Sequence, residues 1–351
     1  MTGLEPPAGI RQPKQEQLPA SDEIVEVGPG VLRLQIPIRF SGLGHVNSYV
    51  LVDGEGAAVV DAGMPGRSTW LALQARLRAA GLKVRDIHTV MVTHSHPDHF
   101  GSAGLLAHES GADLVAEASF QTWFTRPEHA DPAPGGGSDF VSLAGGTPWG
   151  GSPVPNLKRH LWMMRLARMR LLPYMRPPVP TRLVSGGDRL TLAGRPWLAL
   201  HTPGHTGDHL CLYDPESKLL ISGDHVLPTI TPHVPGISPL ADPLGAYMAS
   251  LRQMTEIGEV RMVLPAHGHP FSDLAGRVDE ILAHHDGRLG QIHDLLRTGD
   301  ATVMELSREM FRKSRWGMMA ESETYAHLEH LRLESKVERR QVNGQAVYSA
   351  C

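Results

Sequence analysis

The sequence predicts an α+β fold organised by sheets, and three observations carry that expectation. Apolar runs at residues 89–92, 197–200, 219–221 and 262–264 have the length of buried strands. Each run ends in a loop that offers His or Asp: His94, His96, Asp98 and His99 after the first, then His205, Asp224 and His267. The last part of the chain, 287–351, instead reads as three helices and a hairpin.

Taken in order, residues 1–21 are rich in Pro, Gln and charge without an apolar core. They read as a disordered leader rather than a secretory signal. Two strands follow within 24–40 around Gly28-Pro29-Gly30, then a loop and strand over 42–53 that contains His45-Val46-Asn47-Ser48-Tyr49. Residues 57–60 pair back across Asp53-Gly54-Glu55-Gly56 as a hairpin. Leu71, Leu73, Leu77 and Ala80 give 68–80 a helical spacing that Gly81 ends. These elements and the loops above make one hydrolase-sized domain over 22–286, interrupted by an insertion at 119–180. The insertion opens as a Pro-rich loop with Gly135-Gly136-Gly137 and closes with a Met-, Leu- and Arg-rich segment at 156–175, helical up to Pro173. As a lid it would offer Met164 to an acyl chain and Arg165 and Arg168 to phosphate; as a plain surface helix it would pack on the core or on a second copy.

In the tail, helices at 290–297, 303–311 and 322–336 and a hairpin around Asn343-Gly344 add up to a small winged helix. Winged helices often bind DNA through the third helix. Here that region carries Glu321, Glu323, Glu329 and Glu334 against Arg332 and Lys336, and acidic faces repel phosphate. Arg339 and Arg340 in the wing are the contrary sign, so a structural or dimerising module is the favoured reading.

The chemistry sits in Thr93-His94-Ser95-His96-Pro97-Asp98-His99. Imidazole nitrogen and carboxylate oxygen are ligands that zinc, iron and manganese all accept, and Pro97 stiffens the turn. One loop cannot complete two metal spheres. His205 after Pro203-Gly204, Asp224 after Gly223, and His267 after Ala266 supply what is missing. With these motifs, residues 24–285 resemble the metallo-β-lactamase fold superfamily. The resemblance implies a four-layered αβ/βα sandwich with two divalent metal ions, zinc foremost, along one edge of its paired sheets. It further implies that His94, His96 and His205 hold one ion, that Asp98, His99 and His267 hold the other, and that Asp224 bridges them. Val59-Val60-Asp61-Ala62-Gly63 resembles the family's first motif, in which Asp61 would orient a ligand histidine; otherwise Asp61 ends a strand.

Such a site activates water between two ions, with Asp98 and Asp224 as the working carboxylates. The ligand set is similar to that of the glyoxalase II-like branch, which points to a small-molecule thioester or ester as substrate. A nuclease, suggested by winged tails in an endoribonuclease-related group, and a lactonase are the alternatives. A β-lactamase is disfavoured, because Asp224 stands where that group places a cysteine. All seven ligand positions are present, which speaks against a ligand-stripped binding protein. His209, His225, His233 and His269 flank the loops, and His225 is the first candidate among them for touching substrate.

Composition sets outer bounds. A net charge of −4 over 351 residues gives no strong field for nucleic acid or anionic membrane. No apolar run reaches the ~18 residues of a membrane span. Cys211 and Cys351 are the only cysteines, and they form no Cys-x-x-Cys pair. The cytoplasm is the default compartment for such a chain, and a homodimer is compatible with it.

Overall fold

Successive side chains of a strand point to opposite faces, so a strand apolar throughout needs cover on both. The computed structural model describes residues 14–40, 42–122, 146–150 and 174–351 and meets that need with two facing sheets and outer helices. The first sheet holds β1 (Val25–Gly28), β2 (Val31–Phe40), β3 (Leu43–Val52), β4 (Ala57–Val60), β5 (Ile87–Met91), β6 (Asp113–Glu117) and β7 (Arg182–Val184), in that order. It is antiparallel from β1 to β4 and parallel from β4 to β7. The second sheet holds β8 (Arg189–Leu192), β9 (Arg195–His201), β10 (Leu210–Asp214), β11 (Leu219–Gly223) and β12 (Met262–Pro265), ordered β12-β11-β10-β9-β8. Only its β11–β12 pair is parallel.

Alternation along single strands shows the layering. Leu210 and Leu212 of β10 join Trp197 and Ile221 in the core between the sheets, where they meet Tyr49, Val60 and Met91 of the first sheet. Cys211 and Tyr213, one residue along, face outward to α4 (Pro243–Met254) and α5 (Leu274–Thr298). On the opposite outer face, Val50, Val59 and Val90 pack against α1 (Arg67–Ala79) and α3 (Ala103–Ser110). The order is therefore helix, sheet, sheet, helix. Helix α1 buries Trp70, Leu73 and Leu77, while Leu71, part of the stripe read from the sequence, is 42 % exposed. Each fully buried aliphatic side chain of this kind stabilises by roughly 1.5–3 kcal/mol, and these cores are where the fold's net stability comes from.

Two boundaries differ from the sequence reading. The tail does not begin at 287, because α5 runs unbroken from 274 to 298. Its buried stripe is Leu274, Val278, Ile281, His285, Leu289, Ile292 and Leu296, a spacing of three and four that continues through the expected break. Gly287 and Gly290 lie where an added Cβ would meet nothing, so they cost about 1 kcal/mol each in helix propensity and disturb no packing. Beyond α5 come β13 (Ala301–Thr302), α6 (Val303–Met310), α7 (Met318–Leu333), β14 (Val337–Val342) and β15 (Gln345–Ala350), with the three strands ordered β13-β15-β14. Asn343 and Gly344 both take positive φ, 50° and 77°, as the tight hairpin between β14 and β15 requires. One apolar cluster joins Leu220 and Val263 of the second sheet to Leu306, Leu328 and Tyr348, so the tail shares a core with the rest.

The second difference is at the amino end. Residues 14–18 of the expected leader pack on the domain: Glu16 is buried and accepts from Thr229 Oγ1, and Gln15 Oε1 accepts from the His269 amide at 2.6 Å. Met164, Arg165 and Arg168, with most of the insertion, lie outside the described residues. The described part at 146–150 is anchored on the tail: Trp149 is buried, and its Nε1 donates to Glu321 Oε2 at 3.1 Å. No helix among the described residues is long and apolar enough to cross a membrane.

Candidate metal centre

Four strand ends deliver the site. β5 leads into the His94–His99 loop, and Pro97 opens α2 (Pro97–Phe100), which carries Asp98 and His99. β9 leads towards His205, β11 ends at Gly223 just before Asp224, and β12 ends two residues before His267. Gly223 has φ +51°, and an added Cβ there would sit 2.7 Å from His209 Nε2, so the close approach requires glycine.

The side chains at these strand ends converge. Ligand-type atoms of His94, His96, His205 and Asp224 lie within 4.8 Å of one another, as do those of Asp98, His99 and His267. Asp224 stands between the two groups. Its Oδ2 is 3.5 Å from both His99 Nε2 and His205 Nε2 and 4.0 Å from His94 Nε2, and its Oδ1 is 3.5 Å from His267 Nε2. Asp98 Oδ2 lies 3.4 Å from His267 Nε2 and 3.7 Å from His99 Nε2.

Four of the five imidazoles are oriented from behind. His99 Nδ1 donates to Asp61 Oδ2 at 2.8 Å, His205 Nδ1 to the His233 carbonyl at 2.7 Å, and His267 Nδ1 to the His45 carbonyl at 2.9 Å. His94 Nδ1 lies 3.0 Å from Thr93 Oγ1, whose own proton goes to Asp61 Oδ2 at 2.8 Å. With Nδ1 acting as donor, Nε2 of these four rings is left as a bare lone pair turned into the site. His96 brings its Nδ1 to 3.1 Å from His94 Nε2. Asp61 sits at φ 59°, a costly conformation for a residue with a side chain, and its carboxylate also accepts from the Thr93 amide at 2.9 Å. That network gives Asp61 the orienting geometry that the motif implies.

These residues fit a cation. Nε2 of His99, His205 and His267 and Oδ1 of Asp224 are buried without a good hydrogen-bond partner and face chiefly one another. Buried acceptors left in that state are destabilising unless a positive charge meets them. Protonation behaviour agrees. Burial and the neighbouring rings push His94 far below the ordinary imidazole value, and burial takes His96 down to about 3, so both are neutral. Burial alone would neutralise Asp98 and Asp224, yet the imidazoles of His99 and His267 outweigh it and hold both carboxyls low. The same attraction, working against burial, raises His99 and His267, so without a cation a proton on Nε2 meets the carboxylates, and a bound cation would take that proton's place.

Other residues take places that the motifs did not assign. His209 accepts the Asp224 amide on Nε2 at 3.1 Å and gives its Nδ1 proton to Thr202 Oγ1 at 2.7 Å, fixing the backbone that presents Asp224. Asn47 Nδ2 donates to the carbonyls of Pro265 and Gly268, both at 2.8 Å, and steadies the His267 loop. Ser95 Oγ donates to buried Asp208 at 3.0 Å, tying the first ligand loop to the second. His225, expected to touch substrate, is instead enclosed: its exposure is 0 %, and it packs edge-on to Tyr247 at 5.2 Å. Burial lowers it to about 3, so it is a neutral packing residue.

Comparison with known proteins agrees with this geometry. Residues 41–267 match the family model described as the metallo-beta-lactamase superfamily. The chain is similar to the probable metallo-hydrolase YqjP of Bacillus subtilis, 24 % identical over 88 % of this chain and 93 % of that protein. It is also similar to the lactamase-like protein adaB of Aspergillus niger, 25 % identical over 80 % of this chain and 68 % of that one. Among solved structures, a beta-lactamase domain protein from Burkholderia ambifaria superposes with a TM-score of 0.76 at 28 % identity, covering 95 % of this chain and 96 % of that one. A metallo-beta-lactamase family protein from Thermus thermophilus gives 0.71 at 28 %, covering 92 % and 99 %. The chain belongs to the metallo-beta-lactamase superfamily and is a metallohydrolase with a His/Asp cluster suited to divalent metal ions.

Proposed function

We propose that the chain is a dinuclear hydrolase of thioesters or related esters, with zinc as the favoured metal. The observation that carries the dinuclear part is the inward-facing set of seven side chains, four of whose imidazoles are each tied at Nδ1 so that Nε2 is open. His94, His96 and His205 would hold one ion, Asp98, His99 and His267 the other, and Asp224 both. Ions held there supply Lewis acidity that makes water a nucleophile near neutral pH and polarises a carbonyl oxygen. Asp98, whose side chain keeps 19 % exposure and stays ionised, is the carboxylate placed to accept a proton from that water. Asp61 and the carbonyls of His45 and His233 do no chemistry; they keep the rings from turning.

Support for a thioester is chemical. The bridging position is an Asp, as in the glyoxalase II-like branch, and a thiolate leaves without needing a strong general acid. We read the tail as winged-helix-like but not as a nucleic-acid reader. Its α7 turns Glu321, Glu323 and Glu329 inward onto Trp149, His233, Arg339 and Tyr348 rather than presenting a free reading face. The test is a parallel screen of metal-analysed protein against acyl-glutathione and acyl-coenzyme A thioesters, lactones and single-stranded RNA, with His96→Ala and Asp224→Ala as blanks. Thioester turnover absent from both blanks is the expected result. RNA cleavage with inert thioesters would overturn the substrate assignment.

A further inference from the structure

The chemistry just described gives the C-terminal segment no part, yet that segment reaches the site. The loop at 225–242, between β11 and α4, carries the His233 carbonyl that receives the His205 Nδ1 proton at 2.7 Å. Helix α7 grips this loop along its length. His233 Nδ1 donates to Glu323 Oε2 at 3.3 Å, the Gly236 amide donates to Ser322 Oγ at 3.0 Å, and His330 Nδ1 donates to Asp242 Oδ2 at 2.8 Å. Gly236 lies so close that an added Cβ would sit 2.5 Å from the Ser322 carbonyl oxygen. From α5, Arg277 donates to the carbonyls of Leu227 and Ile230 at 2.7 and 2.9 Å, and Arg288 Nε stands 3.8 Å from Glu323 Oε1. The acceptors behind the other fixed rings (Thr93 Oγ1, Asp61 Oδ2 and the His45 carbonyl) all come from the first hundred residues.

We infer that the C-terminal segment is a positioning element of the metal centre: Glu323, by fixing His233, sets the carbonyl that holds His205 with Nε2 open towards its ion. The inference rests on the dinuclear reading above. A ring that loses its fixed acceptor gains rotational freedom and a second tautomer, and outer partners of this kind are worth about 10–100-fold in metal affinity. Glu323 acts one step further out, so an effect of about 10-fold is expected.

The test uses the full chain, stripped of metal and titrated with Zn²⁺ against a chromophoric chelator, with circular dichroism and Tm recorded in parallel. Wild type should take up two equivalents. Glu323→Ala should weaken one by about 10-fold and leave the other within about 2-fold. Glu323→Gln, which keeps an acceptor for His233, should restore most of the loss. Two equivalents bound as in wild type, or both weakened together with a falling Tm, would overturn the inference. Wild type that takes up no metal would instead overturn the dinuclear reading itself. Should Glu323→Ala not fold, Ser322→Ala, which releases the Gly236 amide of the same loop, is read by the criterion set for it.

Discussion

The histidine rings of this site are held from opposite ends of the chain, with His205 set apart from His94, His99 and His267. His99 and His267 are oriented by Asp61 and by the His45 carbonyl, on the first sheet and the turn that leaves it. His205 is oriented by a carbonyl on a loop that α5 and α7 hold in place. The first arrangement is built from early sequence and one strained aspartate. The second needs a loop, two helices and a half-buried Glu–His contact to reach the same end. A shared carboxylate makes the two supports interdependent, because Asp224 faces both groups and is itself presented by His209.

Substitutions can break this comparison in graded ways. Asp224→Ala removes the residue common to both groups. It should lower kcat/KM by at least about 10³-fold, some 4 kcal/mol of transition-state stabilisation, with metal content falling for both ions. Trp197→Ala opens the core between the sheets, far from the ligands. A loss of about 3–5 kcal/mol in denaturant unfolding is expected, with normal metal stoichiometry in the protein that remains folded. Asp61→Ala should act most on the His99 side, weakening that metal equivalent by about 10–100-fold in a chelator competition, with a smaller effect on the equivalent that responds to Glu323, carried through Thr93 to His94. If Asp61→Ala and Glu323→Ala both act most strongly on the same equivalent, the two-ended account is wrong.

The smallest effect concerns the pair that pins α7 to the cap of α4. The hydrogen bond to Asp242 raises His330 above its ordinary 6.5, so the His330 contribution to stability is full below about pH 6.5 and lost as pH rises through the raised value. Bonding to His330 and to the Gly245 amide outweighs burial and lowers Asp242 below its ordinary 3.8, so the Asp242 contribution is present above about pH 3.8 and lost on acidification. The two together should be worth well under 1 kcal/mol, greatest between about pH 4 and 6.5. A double-mutant cycle with His330→Gln and Asp242→Asn across pH checks this.

The candidate ligands were legible in the sequence because their identity is their signal: a His or Asp just past an apolar run can be read directly. Their supports were not. His45 and His233 act through backbone carbonyls, which every residue possesses, so no motif marks them. Asp61 was legible only through its resemblance to a family motif, and its positive φ had no signature in the residue itself. The α5 boundary was misplaced because the helix was read only from 290, whereas its buried stripe starts at Leu274 and runs to Leu296. His225 looked functional by adjacency to Asp224, but its ring is turned away from the site, into the packing around Tyr247.

The most direct test of the central claim is the metal stoichiometry of the full-length wild-type chain, measured by elemental analysis after saturation with Zn²⁺ and exhaustive dialysis. Two ions per chain, falling in Asp224→Ala, is the predicted result. A chain that retains no zinc, or that retains it undiminished without Asp224, would contradict the claim that this cluster is a dinuclear hydrolytic centre.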